Sequence, residues 1–572
     1  MRRGKSHIPK AIAAGITSLL LLISCDGVIN EDYDLSKDID KTVSGLQGAD
    51  VPLGNFKEIS VADLFGFGSG DKGVVYTDYD GNYILEHTVK GELSVPSPDI
   101  DLTSLQFRDL FDPIEATLPV TTGDIPFSFT SEMHFEIGFP EYVTDVKSVD
   151  IYTWGSNIQL TLRSDNDNVY VKSGFRIIFP EYIHLEDPFA YMDVEDGHIL
   201  VCNKDNSLPA WLTFSIARID LPEGAYTDGK LVLNPEVRIE GELGFRTDYM
   251  EELPEDVLFT LKAELQHIAL SGAEMKGVAE FELDDIEGIK IENVPGFFSD
   301  NKWVLDIYDP SIYLSIDNDF QFTIGAQAAL TAYDFMDQPT TLNIGNDSVV
   351  VADPESKPWY VYSYRKKELA EGLTNVVDPV LSEMFRRLPE SFCVNDIKVK
   401  LGSAEHLQKF QFGNTPYTYT LPYYLRFSLP LSFGERFGFY LSRDVEIAEI
   451  DFDVPTDSVE LSMDVVNSIP LKFITRVWAL DSEGYPIFWL DATSDDYTIA
   501  SGTQDSPVTT NMTWKISTER NYVKFSGIRI LYNAFAASEE HLGVPLNKKQ
   551  KIELRNLTLH LPDGITIDPD AL

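Results

Sequence analysis

The sequence predicts a mainly β fold: an elongated, multidomain array of antiparallel sheets and sandwiches, interrupted by one amphipathic helical segment. Three observations predict it. Apolar and polar side chains alternate over long stretches, as in strands with one buried and one wet face. Tight-turn signals punctuate these stretches: Asp80-Gly81-Asn82, Asp196-Gly197, Pro222-Glu223-Gly224, Asp228-Gly229 and Pro562-Asp563-Gly564. The chain has 572 residues, whereas a single core rarely grows past about 250–300, so several domains are expected.

Composition narrows the partners. Hydrophobic residues at 43% and aromatics at 12% exclude a disordered chain. Lys and Arg number 45 against 92 Asp and Glu, a net charge of -47. Nucleic acid is excluded as a partner, because affinity there comes mostly from neutralising phosphates. Three cysteines are too few for a disulfide scaffold or an iron–sulfur site.

Residues 1–24 contain Arg2, Arg3, Lys5 and Lys10, no carboxylate, and an apolar run from Ala11 to Ile23. At about 13 residues that run is too short to cross about 30 Å of hydrocarbon as a helix. A basic head on a short apolar body is the layout of a cleaved secretory signal. Leu22-Ile23-Ser24-Cys25 resembles the lipobox of bacterial lipoproteins, which implies that Cys25 becomes the acylated (palmitate-type) N-terminus. Each buried CH₂ of such chains contributes about 0.8 kcal/mol to anchoring. Residues 25–50 then read as a lipidated acidic tether. The tract Asp26 to Asp34 resembles the export signal that sends Bacteroidetes lipoproteins to the outer face of the outer membrane. The expected location is therefore the outer membrane, lipid-anchored and facing outward.

Beyond the tether, β domains are expected at 51–240, 241–400 and 401–572. Ile125, Phe127, Phe129, Met133, Phe135, Ile137 and Phe139 all fall on odd positions, predicting one strand of about 50 Å. Val257, Phe259, Leu261, Ala263 and Leu265 repeat the pattern, as do Val459, Leu461, Met463 and Val465. Such alternation favours antiparallel sheets over a doubly wound parallel one. One stretch has another period. Leu369, Leu373, Val376, Val377, Val380, Leu381, Met384, Phe385 and Leu388 draw a helical stripe over 364–388. Asp378-Pro379 reads inside it as an N-cap followed by proline at N1. This helical segment is expected to close the 241–400 domain.

Internal echoes accompany the strands. Phe135-Glu136-Ile137-Gly138-Phe139-Pro140-Glu141-Tyr142-Val143 is matched by Phe175-Arg176-Ile177-Ile178-Phe179-Pro180-Glu181-Tyr182-Ile183. Ser315-Ile316-Asp317-Asn318, followed by Ala332-Tyr333-Asp334, is matched by Asp464-Val465-Val466-Asn467, followed by Ala479-Leu480-Asp481. They suggest related domains before and after residue 400, although convergence among strands produces similar echoes.

Asp32-Tyr33-Asp34-Leu35-Ser36-Lys37-Asp38-Ile39-Asp40 and Val51-Pro52-Leu53-Gly54 resemble the opening of a group of large, uncharacterised, β-rich surface lipoproteins of gut Bacteroidetes. Val466 to Leu471, Ala479 to Gly484 and Leu546 to Leu554 resemble the same group. The resemblance implies a surface or periplasmic setting and β-rich domains, and supplies no catalytic residues.

No catalytic or metal motif stands out. His-Glu-x-x-His, the Gly-x-Ser-x-Gly elbow and the phosphate-binding glycine loops are absent. Gly66-Phe67-Gly68-Ser69-Gly70 has Asp71 where a dinucleotide fingerprint needs glycine. Calcium is the one cofactor left open: Asp78-Tyr79-Asp80-Gly81-Asn82 and Asp165-Asn166-Asp167-Asn168 offer oxygens, but neither fits an EF-hand count, and turn chemistry explains both. Glu539-Glu540-His541 lacks a second ligand at helical spacing. Cys202 and Cys393 are the thiols that remain after acylation of Cys25, and their pairing is left open.

The nominated ligand face is aromatic. In Trp359-Tyr360-Val361-Tyr362-Ser363-Tyr364, the residues Tyr360, Tyr362 and Tyr364 share one side of a strand and could stack on sugars or form an interface. The competing reading is a sheet face under cover. Trp478 and Trp489 read as core or sheet-face residues. The expected function is non-catalytic surface binding or adhesion, with a glycan or protein ligand and a membrane contact through acyl chains. The alternatives are a lipid-binding, envelope-maintenance lipoprotein and, third, a glycan-acting enzyme whose paired carboxylates only the fold would bring together.

Overall fold

The computed structural model describes residues 43–567 apart from short internal stretches, the longest of them 101–107. The signal, Cys25 and the acidic tract lie outside the described residues. The fold is mainly β, multidomain and antiparallel. Among the described residues one strand contact is parallel, that of Trp359–Ser363 with Leu373–Val377. No helix described exceeds 5 residues.

One pairing pattern recurs three times, with one strand more in the middle and C-terminal units than in the first. In the middle unit, Ser311–Ile316 pairs with Trp359–Ser363 and Thr418–Pro430. Ile324–Tyr333 pairs with Ser391–Gln411, Pro339–Ile344 and Val350–Ala352. In the C-terminal unit, Val459–Asn467 pairs with Val508–Ile516 and Lys551–Leu561. Leu471–Leu480 pairs with Tyr522–Ala536, Pro486–Ala492 and Thr498–Ile499. In the first unit, Val143–Ile151 pairs with Ile216–Asp220 and Leu270–Glu282, while Ile158–Ser164 pairs with Ala210–Phe214 and Asp256–Leu265. The remaining strand of each unit, Ile114–Pro119, Leu270–Glu282 or Gly438–Asp453, pairs with Asp256–Leu265, Ser391–Gln411 or Tyr522–Ala536 respectively. Leu270–Glu282 thus serves two units, which makes their sheets continuous.

Each unit packs two sheets on an apolar interior. In the middle unit Phe392 of one sheet stacks on Phe427 of the other, ring centroids 4.4 Å apart, both fully buried. Such offset aromatic pairs add to the burial of area that drives the packing.

The chain traverses the units twice. Val43–Gly45 and Ala49–Gly54 pair with Ile565–Ile567 and Lys551–Leu561 of the C-terminal unit. Tyr83–Pro96 then pairs with Thr418–Pro430 of the middle unit, and Ile114–Pro119 with Asp256–Leu265 of the first. The return pass supplies the remaining strands. The boundaries expected near 240 and 400 fall inside strands Glu236–Phe245 and Ser391–Gln411, and strands on opposite sides of both are hydrogen-bonded neighbours. Two strands, Val43–Gly45 and the start of Ala49–Gly54, occupy residues read from the sequence as tether.

Two local expectations need correction. The stretch 125–139 keeps its inward odd residues, but it is two strands, Asp124–Glu132 and Phe135–Gly138, pairing in different sheets. Alternation reports which side is buried, and it survives a change of sheet. The helical segment over 364–388 is instead strand Leu373–Val377 followed by one turn of helix, Val380–Met384. Thr374, Val376 and Val377 are β-branched and favour the strand that pairs beside Trp359–Ser363. The start signal at Asp378-Pro379 is real: Asp378 Oδ1 accepts from the Val380 N–H at 2.9 Å.

Other elements form as expected. Val257, Phe259, Leu261, Ala263 and Leu265 are buried along Asp256–Leu265, and Val459, Leu461, Met463 and Val465 along Val459–Asn467. Asp196 and Gly197 both take positive φ, 50° and 75°, in the tight turn between Met192–Glu195 and Ile199–Cys202. The echo at 135 and 175 marks one local structure, since Val143 and Ile183 N–H groups donate to the carbonyls of Pro140 and Pro180.

Candidate functional site

The three nominated tyrosines do not make an open shelf. Tyr362 stands in register with Ile312, which faces Phe427, and is 2% exposed in the middle-unit core. Burial pushes its hydroxyl up to about 12. Tyr360 is half-buried, and its hydroxyl donates to the Val351 carbonyl at 3.0 Å and accepts from its N–H at 2.9 Å. Tyr364 is half-buried with the Arg365 guanidinium 5.2 Å from its ring.

An open aromatic face lies instead on the C-terminal unit. Four neighbouring strands, Gly438–Asp453, Tyr522–Ala536, Leu471–Leu480 and Pro486–Ala492, present one side to solvent. Strand alternation sends Phe473, Val477 and Ala479 into the core and Lys472, Ile474, Arg476 and Trp478 outward. One row across the face is Asp444, Arg529, Trp478, Trp489; another is Tyr440, Asn533, Ile474. Trp478 and Trp489 lie against each other, centroids 3.7 Å apart. Trp489 remains 39% exposed and Tyr440 66%. The two rows are four residues apart along the outermost strand, about 13 Å, and three strand spacings separate Tyr440 from Trp489, about 14 Å.

Polar groups are set among the rings. Arg529 donates to both Asp444 carboxylate oxygens, Nε to Oδ1 at 2.6 Å and Nη2 to Oδ2 at 2.7 Å. That fork holds the Asp444 carboxyl below its usual range. The Asn533 side-chain oxygen, between Tyr440 and Ile474, is covered and has no hydrogen-bond partner. A face of this kind can stack on the apolar sides of flat rings and exchange hydrogen bonds with hydroxyls at their edges.

The repeat supplies an internal control. Trp478 stands three residues before Asp481, whose Oδ1 accepts from the N–H groups of Glu483 and Tyr485 in the hairpin turn. Asp334 makes the same turn in the middle unit with Met336 and Gln338. Three residues before it is Thr331, opposite Thr341, with hydroxyls 3.0 Å apart. The hairpin therefore folds with two small residues where the C-terminal unit carries two tryptophans. The sequence signal was present in strand 471–480, whose polar side carries Ile474 and Trp478, yet period alone does not tell a ligand face from a covered one.

The other candidates resolve into ordinary chemistry. Asp78 accepts from the backbone and side-chain nitrogens of Asn82, and Asp165 accepts from the Leu258 N–H at 3.0 Å. His541 Nδ1 is 2.9 Å from Ser501 Oγ. Among the described residues no group of three or more His, Cys, Asp or Glu is placed to hold a metal. Cys202 and Cys393 are free and buried, and burial pushes the Cys202 thiol up to about 12. A cleft of about 980 Å³ opens beside Pro96, Asp99, Phe139, Tyr142, Lys230 and Phe281.

No family model and no curated protein matches the chain. Among solved structures, a Parabacteroides distasonis chain described as a candidate secreted protein is similar at 15% identity and TM-score 0.35, over 50% of this chain and 89% of that one. Infectious bursal disease virus structures, strains Gx and Gt, align over 89% and 90% of this chain and 91% and 92% of theirs, at 9% identity and TM-score 0.12. None of these likenesses is close enough to bear on function.

Proposed function

We propose that this chain is a non-catalytic, lipid-anchored surface protein that binds glycans on the aromatic face of its C-terminal unit. The observation that carries the reading is the exposed Trp478–Trp489 pair, at a hairpin position where the middle unit has Thr331 and Thr341. The hairpin folds in the middle unit with Thr331, 7% exposed, in that place, so the turn itself does not require the tryptophans. Tyr440, which is 66% exposed, offers a ring and a hydroxyl, and favours a hydroxyl-bearing, ring-shaped ligand over an aliphatic one. The anchor is Cys25, behind the signal and lipobox at 1–24, with the chain held at the outer face of the outer membrane.

A glycan array probed with the full mature chain tests the binding. Neutral oligosaccharides should be retained, and Trp489→Ala should lower that retention at least tenfold. Retention unaffected by both Trp489→Ala and Tyr440→Ala would overturn the reading. Cys25→Ala should release the protein from membranes; an unchanged bound fraction would overturn the anchor.

A further inference from the structure

The cleft of about 980 Å³ lies where the first and middle units meet. Strand ends frame it. Tyr83–Pro96 and Phe135–Gly138 both stop at its edge, and Phe281 stands next to the end of the shared strand Leu270–Glu282. Pro140 has no N–H to carry the ladder on, and the chain turns there, the Val143 N–H donating to the Pro140 carbonyl. The hairpin turn at Asp228-Gly229, with φ of 53° and 76°, supplies another wall. It is fixed to the proline turn by the Phe139 N–H, which donates to the Gly229 carbonyl at 2.8 Å.

The walls are apolar and the rim is acidic. Phe139 and Val143 are buried, Tyr142 and Phe281 half-buried. Asp99, Glu141 and Asp228 are exposed, and none of their carboxylates has an ion pair or hydrogen bond among the described residues. Lys230 is the one cation among the described residues of the lining, and Glu136 holds its Nζ at 2.7 Å. The Tyr142 hydroxyl has no hydrogen-bond partner among the described residues. Burial, with the Asp99 charge added, pushes it up to about 12, so it stays a phenol with a proton to donate. Carboxylates without counter-charge beside aromatic rings attract a guanidinium or ammonium on an apolar stem. The three come from separate chain segments, so a ligand that meets them all carries several cations. The volume, near the top of the roughly 300–1,000 Å³ usual for small-molecule pockets, leaves room for more than one side chain.

We propose that this cleft docks a basic peptide segment of a partner protein, one bearing several arginines or lysines. Its cations pair with Asp99, Glu141 and Asp228, its side-chain stems lie against Tyr142 and Phe281, and the Tyr142 hydroxyl donates to a backbone carbonyl. The site goes beyond glycan binding and shares no residue with the C-terminal face. The net charge of -47 draws a basic segment towards the chain, while the cleft decides where it stays.

The test is calorimetry of the detergent-solubilised mature chain with a tetra-arginine peptide at about 0.15 M salt. One peptide should bind per chain. Asp99→Asn with Asp228→Asn should weaken binding at least tenfold; asparagine accepts the positive φ at 228, so the hairpin survives. Glu539→Gln with Glu540→Gln removes the same charge from the C-terminal unit and should change nothing, as should Trp489→Ala. Equal losses in the two double variants would make the binding a general effect of an acidic chain and overturn the proposal. So would equal affinity for tetra-citrulline, which keeps the shape without the charge, or for spermidine, which carries charge without a peptide backbone. No binding of tetra-arginine, or binding untouched by Asp99→Asn with Asp228→Asn, would overturn it as well.

Discussion

Asn318 and Asn467 do the same work in two units. Each is buried; each side-chain oxygen accepts from the N–H two residues on; each side-chain nitrogen donates to the carbonyl four residues on. Each also reaches the returning strand, at the carbonyl of Ala352 or Ala500. A connection between sheets buries backbone groups that no ladder satisfies, and one asparagine closes it. Alanine at either position should cost about 2–3 kcal/mol, since buried polar groups lose their partners. Denaturant melts of Asn318→Ala and Asn467→Ala check this, with similar losses expected.

Trp489→Ala should leave stability within about 1 kcal/mol, because the ring is part-exposed and loses one stacking partner. Glycan affinity should fall at the same time. Calorimetric titration beside a thermal melt separates the two effects. A collapsed melt would assign the ring to structure.

The Asp444–Arg529 fork gives the C-terminal face a pH dependence. The Asp444 carboxyl is held low by hydrogen bonds from Arg529, so its contribution is present above the ordinary carboxylate range and lost as pH falls through the lowered value. Both partners are part-exposed, which limits the effect to about 1 kcal/mol or less. Asp444→Asn should be less stable than the parent at pH 6, and the difference should shrink as pH falls below the ordinary carboxylate range. Stability curves across that range decide it.

The two internal thiols should be silent. Burial raises both Cys202 and Cys393, and the thiolate is the reactive form. A colorimetric thiol reagent at pH 8 should detect neither in the folded chain and both after denaturation. Fast labelling of one before unfolding would contradict the burial.

Strand faces and turns were legible because burial imposes period two directly on the residues. Val459 to Val465 and the Asp196-Gly197 turn are cases. The joint at Met133-His134 was not, because a strand that changes sheets keeps its inward parity. The stripe at 373–388 misled because Leu373, Val376, Val380 and Leu381 satisfy a helical spacing while partly serving a strand and a single turn. For the site, the Tyr360, Tyr362 and Tyr364 side was misread as open: Tyr362 is core, and Tyr360 and Tyr364 are half-buried. Which side of a sheet faces water is decided by distant strands such as Tyr83–Pro96, which local spacing does not report.

The contact of Val43–Gly45 with Ile565–Ile567 also determines how the molecule bears load. Were the chain tethered at Cys25 and a ligand held on the Trp478–Trp489 face, as proposed, tension between them would pass through the C-terminal unit alone. The first and middle units hang outside that path and stay slack. Val43–Gly45, a short three-residue strand, is the first to peel, followed by Ala49–Gly54 along Lys551–Leu561. With grip and anchorage proposed for one unit, traction on the ligand leaves the first and middle units undeformed.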